Sequence, residues 1–336
     1  MKVQALKMTA RLLLAASALW LAGAAQAETL RLSTLDKPGS DGANAAQTFA
    51  DLVKQKTGGR IEVTVYPASQ LGDWTEVYNQ VIFGAVDMAM QPLSTDSDRR
   101  LAVTWFPYVY TDYATAAKAL SADGYVTKIV DGIIADQGLK LLATYGAGMG
   151  GAVFTKDIAD AANPDAEHDI KLRVWPGGTT HRSLMERFGY NVAVVAWAEL
   201  YTGMQTGVVD GAIGGTPELA LDNFKDIAKT WIQYNDHFES NYMFMNLAKF
   251  ESLDPADQKA LIEAADEICV KRFDEVKAAD AARLQQMKDA GINVLELSPE
   301  QLQAFAAAAR TDVWPKISDE IGPEILKQLQ TATGAM

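Results

Sequence analysis

The run from Asp254 to Lys288 constrains this fold more than any other stretch of the chain. Asp254 is a good N-cap, Pro255 suits the first helical turn, and no strong breaker follows until Gly291. At 1.5 Å per residue such a helix is about 50 Å long. That exceeds the width of one small domain, so the helix is expected to lie across two packed units.

Two such units can be read upstream. Leu30-Arg-Leu-Ser-Thr34 and the alternating Ile61-Glu-Val-Thr-Val-Tyr66 have strand character, and Val86 to Met90 reads as a buried strand. Ala43 to Lys56 carries Ala46, Phe49, Ala50 and Val53 at helical spacing and is stopped by Thr57-Gly58-Gly59, and Thr75 to Phe83 is a second helix. This strand–helix–strand order builds an α/β layer with largely parallel pairing. Residues 112–137 read as two short helices separated at Gly124, and Leu139 to Tyr145 as a strand. The glycine-rich Gly146-Ala-Gly-Met-Gly-Gly151 lacks dinucleotide spacing and no P-loop Lys-Ser/Thr follows it, so a strand crossover or hinge is expected there.

A second α/β block covers roughly 150–236. Its strands are Val153-Phe154, Leu172 to Val174, Asn191 to Val195 and Ala212-Ile213. Its helices are Thr179 to Phe188, Ala198 to Thr206 and Pro217 to Ala228. Tyr242 to Asn246 and Asn293 to Leu297 are further strands, and helices from Pro299 to about Gln330 break near Pro315 and Gly322. Two α/β blocks joined by short segments leave a cleft between them, the usual place for a small ligand.

Residues 1–27 have the form of a signal peptide. Lys2, Lys7 and Arg11 make a basic start, Leu12 to Ala22 an apolar core, and Ala25-Gln26-Ala27 a small-x-small cleavage site. The mature chain would begin at Glu28 and be exported to the periplasm. The formal net charge is −13, and loss of three basic and no acidic residues with the leader takes it to −16. That balance argues against nucleic acid and anionic membranes as partners, and an anionic ligand would need a local cationic site. Cys269 is the only cysteine, so no internal disulfide can form, and its helical apolar surroundings suit an inert buried thiol.

Catalytic patterns are sparse. His168, His181 and His237 are the only histidines, with no metal-ligand spacing and no Gly-x-Ser-x-Gly elbow. No cofactor and no metal are expected. Arg173 is different: it sits inside an apolar strand and is followed at once by Trp175 and Pro176. A guanidinium keeps its charge in a protein, so a buried one needs a partner. That partner could be structural, with Glu199 or Asp210 as candidates, or an anionic ligand held through two parallel hydrogen bonds against Trp175, Trp197 and the Gly214-Gly215-Thr216 turn. Residue types alone leave both open.

The surrounding motifs bear on that choice. Leu172-Arg-Val-Trp-Pro176 is followed by Trp197-Ala-Glu-Leu-Tyr-Thr-Gly-Met-Gln-Thr-Gly-Val-Val-Asp-Gly211. Gly59-Arg-Ile-Glu-Val-Thr-Val-Tyr-Pro-Ala-Ser-Gln-Leu-Gly72, Gly84-Ala-Val-Asp87, Phe106-Pro-Tyr-Val109 and Leu253-Asp-Pro-Ala-Asp257 occur in order around them. In these segments, over nearly the whole mature chain, the sequence resembles the DctP-type substrate-binding proteins of TRAP (tripartite ATP-independent periplasmic) transporters.

The resemblance implies an α/β, two-lobed periplasmic-binding-protein clamshell with a long helix spanning both lobes. Residues 28–149 with about 237–278 would form one lobe, and 150–236 with about 279–336 the other. It implies capture of a small organic anion, chiefly a carboxylate and alternatively an organosulfonate, by a monomer that delivers it to small and large membrane subunits without catalysis. An exported enzyme acting on an organic acid and a binding protein serving a membrane sensor are the competing functions. By resemblance, Arg173 pairs with the ligand carboxylate, Trp197 lies against the ligand, and Thr216 and Gln91 fall at polar contact positions. Trp175, Gly215, Met149 and Trp74 complete the expected ligand-binding set, and Trp105, Trp231 and Trp314 are expected to pack. Sialic-acid-binding relatives carry a second arginine near the glycine-rich crossover, where this chain has Gly148-Met-Gly-Gly151. That difference points to another ligand shape.

Overall fold

A computed structural model describes residues 27–110 and 112–333. The leader assigned to 1–27 lies outside the described residues, except for Ala27. The first sheet contains β1 (Glu28–Ser33), β2 (Ile61–Tyr66), β3 (Met88–Gln91), β4 (Leu139–Met149) and β10 (Phe238–Asn246), in the order β2-β1-β3-β10-β4. The second contains β5 (Gly151–Phe154), β6 (Lys171–Val174), β7 (Asn191–Val194), β8 (Gly211–Gly215), β9 (Thr230–Gln233) and β11 (Asn293–Glu296), in the order β11-β9-β5-β8-β6-β7.

Each sheet is parallel where helices connect its strands and antiparallel where the chain passes between lobes. β1 pairs in parallel with β2 and β3, and β6 with β7 and β8. β10 runs antiparallel to β3 and β4, and β5 antiparallel to β8 and β9. The largely parallel pairing read for the first unit is thus corrected to a mixed sheet. β10 enters it from the second unit and so arrives in the opposite direction. The glycine-rich segment is a crossover: β4 runs on to Met149, and β5 starts at Gly151 in the other sheet. At Gly150 the returning strand lies so close that an added Cβ would sit 2.2 Å from the His237 ring.

The helix Pro255–Asp289 connects the lobes. Leu261, Ala264, Ala265, Ile268 and Cys269 pack into the core beneath the first sheet. Further along, Leu284 and Met287 enter the core of the second, against Trp231 and Val209. Cys269 is buried, and burial pushes its thiol pKa upward, which favours the unreactive form. Among the described residues no helix is long and apolar enough to cross a membrane.

Candidate ligand-binding site

Strand alternation builds one wall of the cleft. On β6, Leu172 and Val174 point into the core, so Arg173 and the following Trp175 face the other way. They meet Trp197, Gly214 and Leu219 at the edge of a narrow cavity of about 40 Å³. The opposite wall is Leu35, Trp74, Pro92, Trp105 and Glu239, all from the segments of the first sheet. A larger surface groove of about 350 Å³, near Leu120, Leu142 and Phe273, holds no buried cation among the described residues.

Arg173 is 2% exposed. Its Nε–H donates to the carbonyl of Val195 at 2.9 Å, and its guanidinium carbon lies 5.9 Å from the Trp197 ring centre. Among the described residues no carboxylate comes within 4.0 Å of the guanidinium, and no protein acceptor meets its terminal nitrogens. Burial lowers its pKa to about 10, partly offset by Asp73 and Glu239 nearby. The two structural partners considered for it are engaged elsewhere or remote. Glu199 is exposed, and Asp210 takes Lys156 Nζ at 2.7 Å and the Lys171 amide at 3.0 Å.

Aromatic rings form most of the remaining wall. Trp105 lies 5.0 Å from Trp175 and 6.1 Å from Trp74, centre to centre. Trp74 occupies the first turn of the helix Trp74–Ile82, whose N-cap is Asp73. Trp175 Nε1–H is buried without an acceptor. Gly214 has φ +93°, and a Cβ there would lie 2.5 Å from Trp175 Cζ3, so only glycine lets the indole lie flat on this turn.

The structure therefore brings Arg173, Trp175, Trp197 and Trp74 together around one cavity, and Gly215 lines its continuation beside Arg173. Gln91, Thr216 and Met149 are absent from these walls. Gln91 Nε2 donates to the Trp74 carbonyl at 2.6 Å, so it holds that tryptophan from behind. Thr216 Oγ1 accepts from the Leu219 amide as N-cap of Pro217–Phe224. Met149 is fully buried at the crossover, with its amide on Asp280. Sequence reasoning missed Trp105 and Glu239. Trp105 was expected to pack, and it ends a 3₁₀ turn, Arg99–Trp105, that apolar spacing did not mark. Glu239 was missed because β10 begins at Phe238, four residues before the strand that was read.

A buried polar network backs this wall. Trp105 Nε1–H and His237 Nε2–H both donate to Glu239 Oε2, at 3.0 and 2.9 Å. His237 Nδ1–H and His181 Nε2–H meet Asp236 Oδ2 at 2.7 and 2.8 Å. Both His237 nitrogens thus face carboxylates, which requires both to carry protons. Burial opposes that charge, but Asp236 and then Glu239 outweigh it and push the pKa up to about 10. The Asp236 carboxyl is held well below its usual range, because the two imidazoles overcome its burial, while burial lowers His181. His181, Asp236 and His237 are close enough to hold a metal ion, but the Asp236 bonds use the ring nitrogens as donors, which leaves no lone pair there for a metal.

Two sheet-centred lobes tied by one long helix, with a buried cation in the cleft between them, define a two-lobed solute-binding protein. Residues 32–320 match the family of bacterial extracellular solute-binding proteins, family 7, and the chain belongs to that DctP family. It is 26% identical to the C4-dicarboxylate-binding periplasmic protein of Rhodobacter capsulatus, over 90% of both chains. It is also 26% identical to the 2,3-diketo-L-gulonate-binding periplasmic protein of Escherichia coli, over 75% of this chain and 76% of that one. A TRAP periplasmic solute-binding protein of Chromohalobacter salexigens, solved with bound D-glucuronate, shares the fold with a TM-score of 0.82. That match has 23% identity and covers 91% of this chain and 100% of that one.

Proposed function

We propose that this protein captures a small organic acid in the periplasm by its carboxylate and hands it to the small and large membrane subunits of a TRAP transporter. The leader-like residues 1–27 and the periplasmic relatives support that location. The protein acts as a monomer and releases its ligand chemically unchanged. Residues 28–149 with about 237–278 move as one lobe against 150–236 with about 279–336, and closure buries the ligand.

One observation carries this reading: a buried arginine with no anionic partner among the described residues, its terminal nitrogens left for two parallel bonds to a carboxylate. Trp74, Trp175 and Trp197 wall the ligand, Gly215 leaves room beside it, Gln91 and Thr216 support the walls from behind, and Met149 fixes the crossover between the lobes. Arg173→Ala should cost about 2–5 kcal/mol of binding, as when a buried charge pair loses one partner. At 1.4 kcal/mol per decade that is a roughly 30- to 4000-fold weaker Kd. Titration calorimetry with the acid found by a binding screen measures it directly. Unchanged affinity would show that Arg173 serves the fold.

A further inference from the structure

Arg173 and Glu239 line the same cavity from opposite lobes. They make no ion pair with each other, although each is nearly buried, at 2% and 3% exposure. Glu239 spends one oxygen, Oε2, on Trp105 and His237. Its Oε1 has no hydrogen-bonding partner among the described residues. We propose that the ligand is a zwitterion, its carboxylate on Arg173 and a methylated, diffuse ammonium group against Glu239 and the faces of Trp74, Trp105 and Trp175. This deepens the organic-acid reading above and rests on it.

Three features favour such a ligand over a simple or polyhydroxylated acid. The first is charge balance. The positive charges of Arg173 and the doubly protonated His237 are already matched by the carboxylates of Asp236 and Glu239, and Asp73 lies near Arg173 as well. A monoanion would leave one uncompensated negative charge in a dry site, whereas a zwitterion adds none. The second is the chemistry of the walls. Apart from Arg173 and Glu239, the lining is indole, leucine, proline and glycine, without a hydroxyl or amide side chain. A sugar acid would find partners there for only a few of its hydroxyls, at the indole N–H of Trp175 and at Glu239. The third is the clustering of indoles beside a carboxylate. Electron-rich ring faces attract cations that lack strong hydrogen bonds of their own, and quaternary ammonium groups suit them best.

The test uses the mature chain and pairs of probes alike in shape. Trimethylammonioacetate is compared with 3,3-dimethylbutanoate, which has carbon in place of the nitrogen. The three- and four-carbon trimethylammonio acids, N,N-dimethylproline, succinate and glucuronate complete the panel, all measured by calorimetry. At least one zwitterion should bind ten-fold or more tightly than 3,3-dimethylbutanoate, succinate and glucuronate. Glu239→Gln should erase that preference, and Arg173→Ala should weaken every acid. If the isosteres, succinate or glucuronate bind as tightly as the zwitterions, the zwitterion assignment fails while carboxylate capture stands. If no acid in the panel binds, the zwitterion assignment falls, and carboxylate capture falls with it when the wider acid screen also finds no ligand. The isostere comparison needs no variant, so a folding defect in Glu239→Gln cannot obscure it.

Discussion

Individual side chains here are tuned by what lies directly behind them. Trp175 can wall the cleft only because Gly214 leaves space and adopts positive φ. Gly214→Ala should therefore cost about 1–3 kcal/mol of stability, the usual range for overpacking. It should also weaken ligand binding by shifting the indole. Urea denaturation and calorimetry check both, and wild-type values in each would refute the packing argument. His237 yields a pH prediction. Its pKa in the folded protein, about 10, lies above the ordinary 6.5 because Asp236 and Glu239 outweigh its burial. Such a group stabilises the fold fully below pH 6.5 and loses that contribution as pH climbs toward 10. Melting temperatures across pH 6 to 10 should fall for the wild type and decline less for His237→Gln. Parallel curves would show that another group carries the alkaline transition.

Among the elements, the long helix is the main tie between the lobes. Its Arg272 donates to the carbonyls of Gly146 and Ala147 at 2.9 and 3.1 Å and pairs with Asp41 at 2.9 Å. Asp41 begins the helix Asp41–Lys56, and its amide donates to Glu218 at 2.6 Å, on the helix Pro217–Phe224 of the other lobe. Burial raises the Glu218 pKa to about 7 and that of Asp36 to about 6, so this junction holds several acids around one buried cation. Arg272→Ala should cost about 3–5 kcal/mol, because it unpairs the Gly146 and Ala147 carbonyls and leaves Asp41 and Glu218 only the part-exposed Arg283. Chemical denaturation measures that loss, and a change below 1 kcal/mol would show that the junction tolerates its absence. Most of these elements were legible beforehand. The long helix was read as Asp254 to Lys288 and runs Pro255–Asp289, since caps and breakers are local signals. β9 and the first half of β10 were not. Their residues are buried on both faces, so no alternation marks them.

For the whole molecule, the expected consequence of cleft binding is a gain in stability by mass action. A ligand at about 100 times its Kd adds roughly 2.7 kcal/mol. A thermal-shift screen over organic acids should thus find its ligand as a rise of several degrees that Arg173→Ala abolishes. An equal rise in the variant would move the binding site elsewhere. The sequence alone was enough to determine the two α/β units, the helix across them, the acidic charge balance, the leader-like start and the place of Arg173 inside an apolar strand just before Trp175. Each follows from spacing or composition within a short window. Only the tertiary structure decided that Trp105 and Glu239 stand across the cleft from Arg173, that Gln91 and Thr216 bond the backbone of wall residues, and that Met149 lies buried at the crossover. Periodicity shows which face of a strand is buried. What that face meets depends on how strands distant in the chain are brought together, and here that depends on the crossovers at Gly150 and at Asp236-His237.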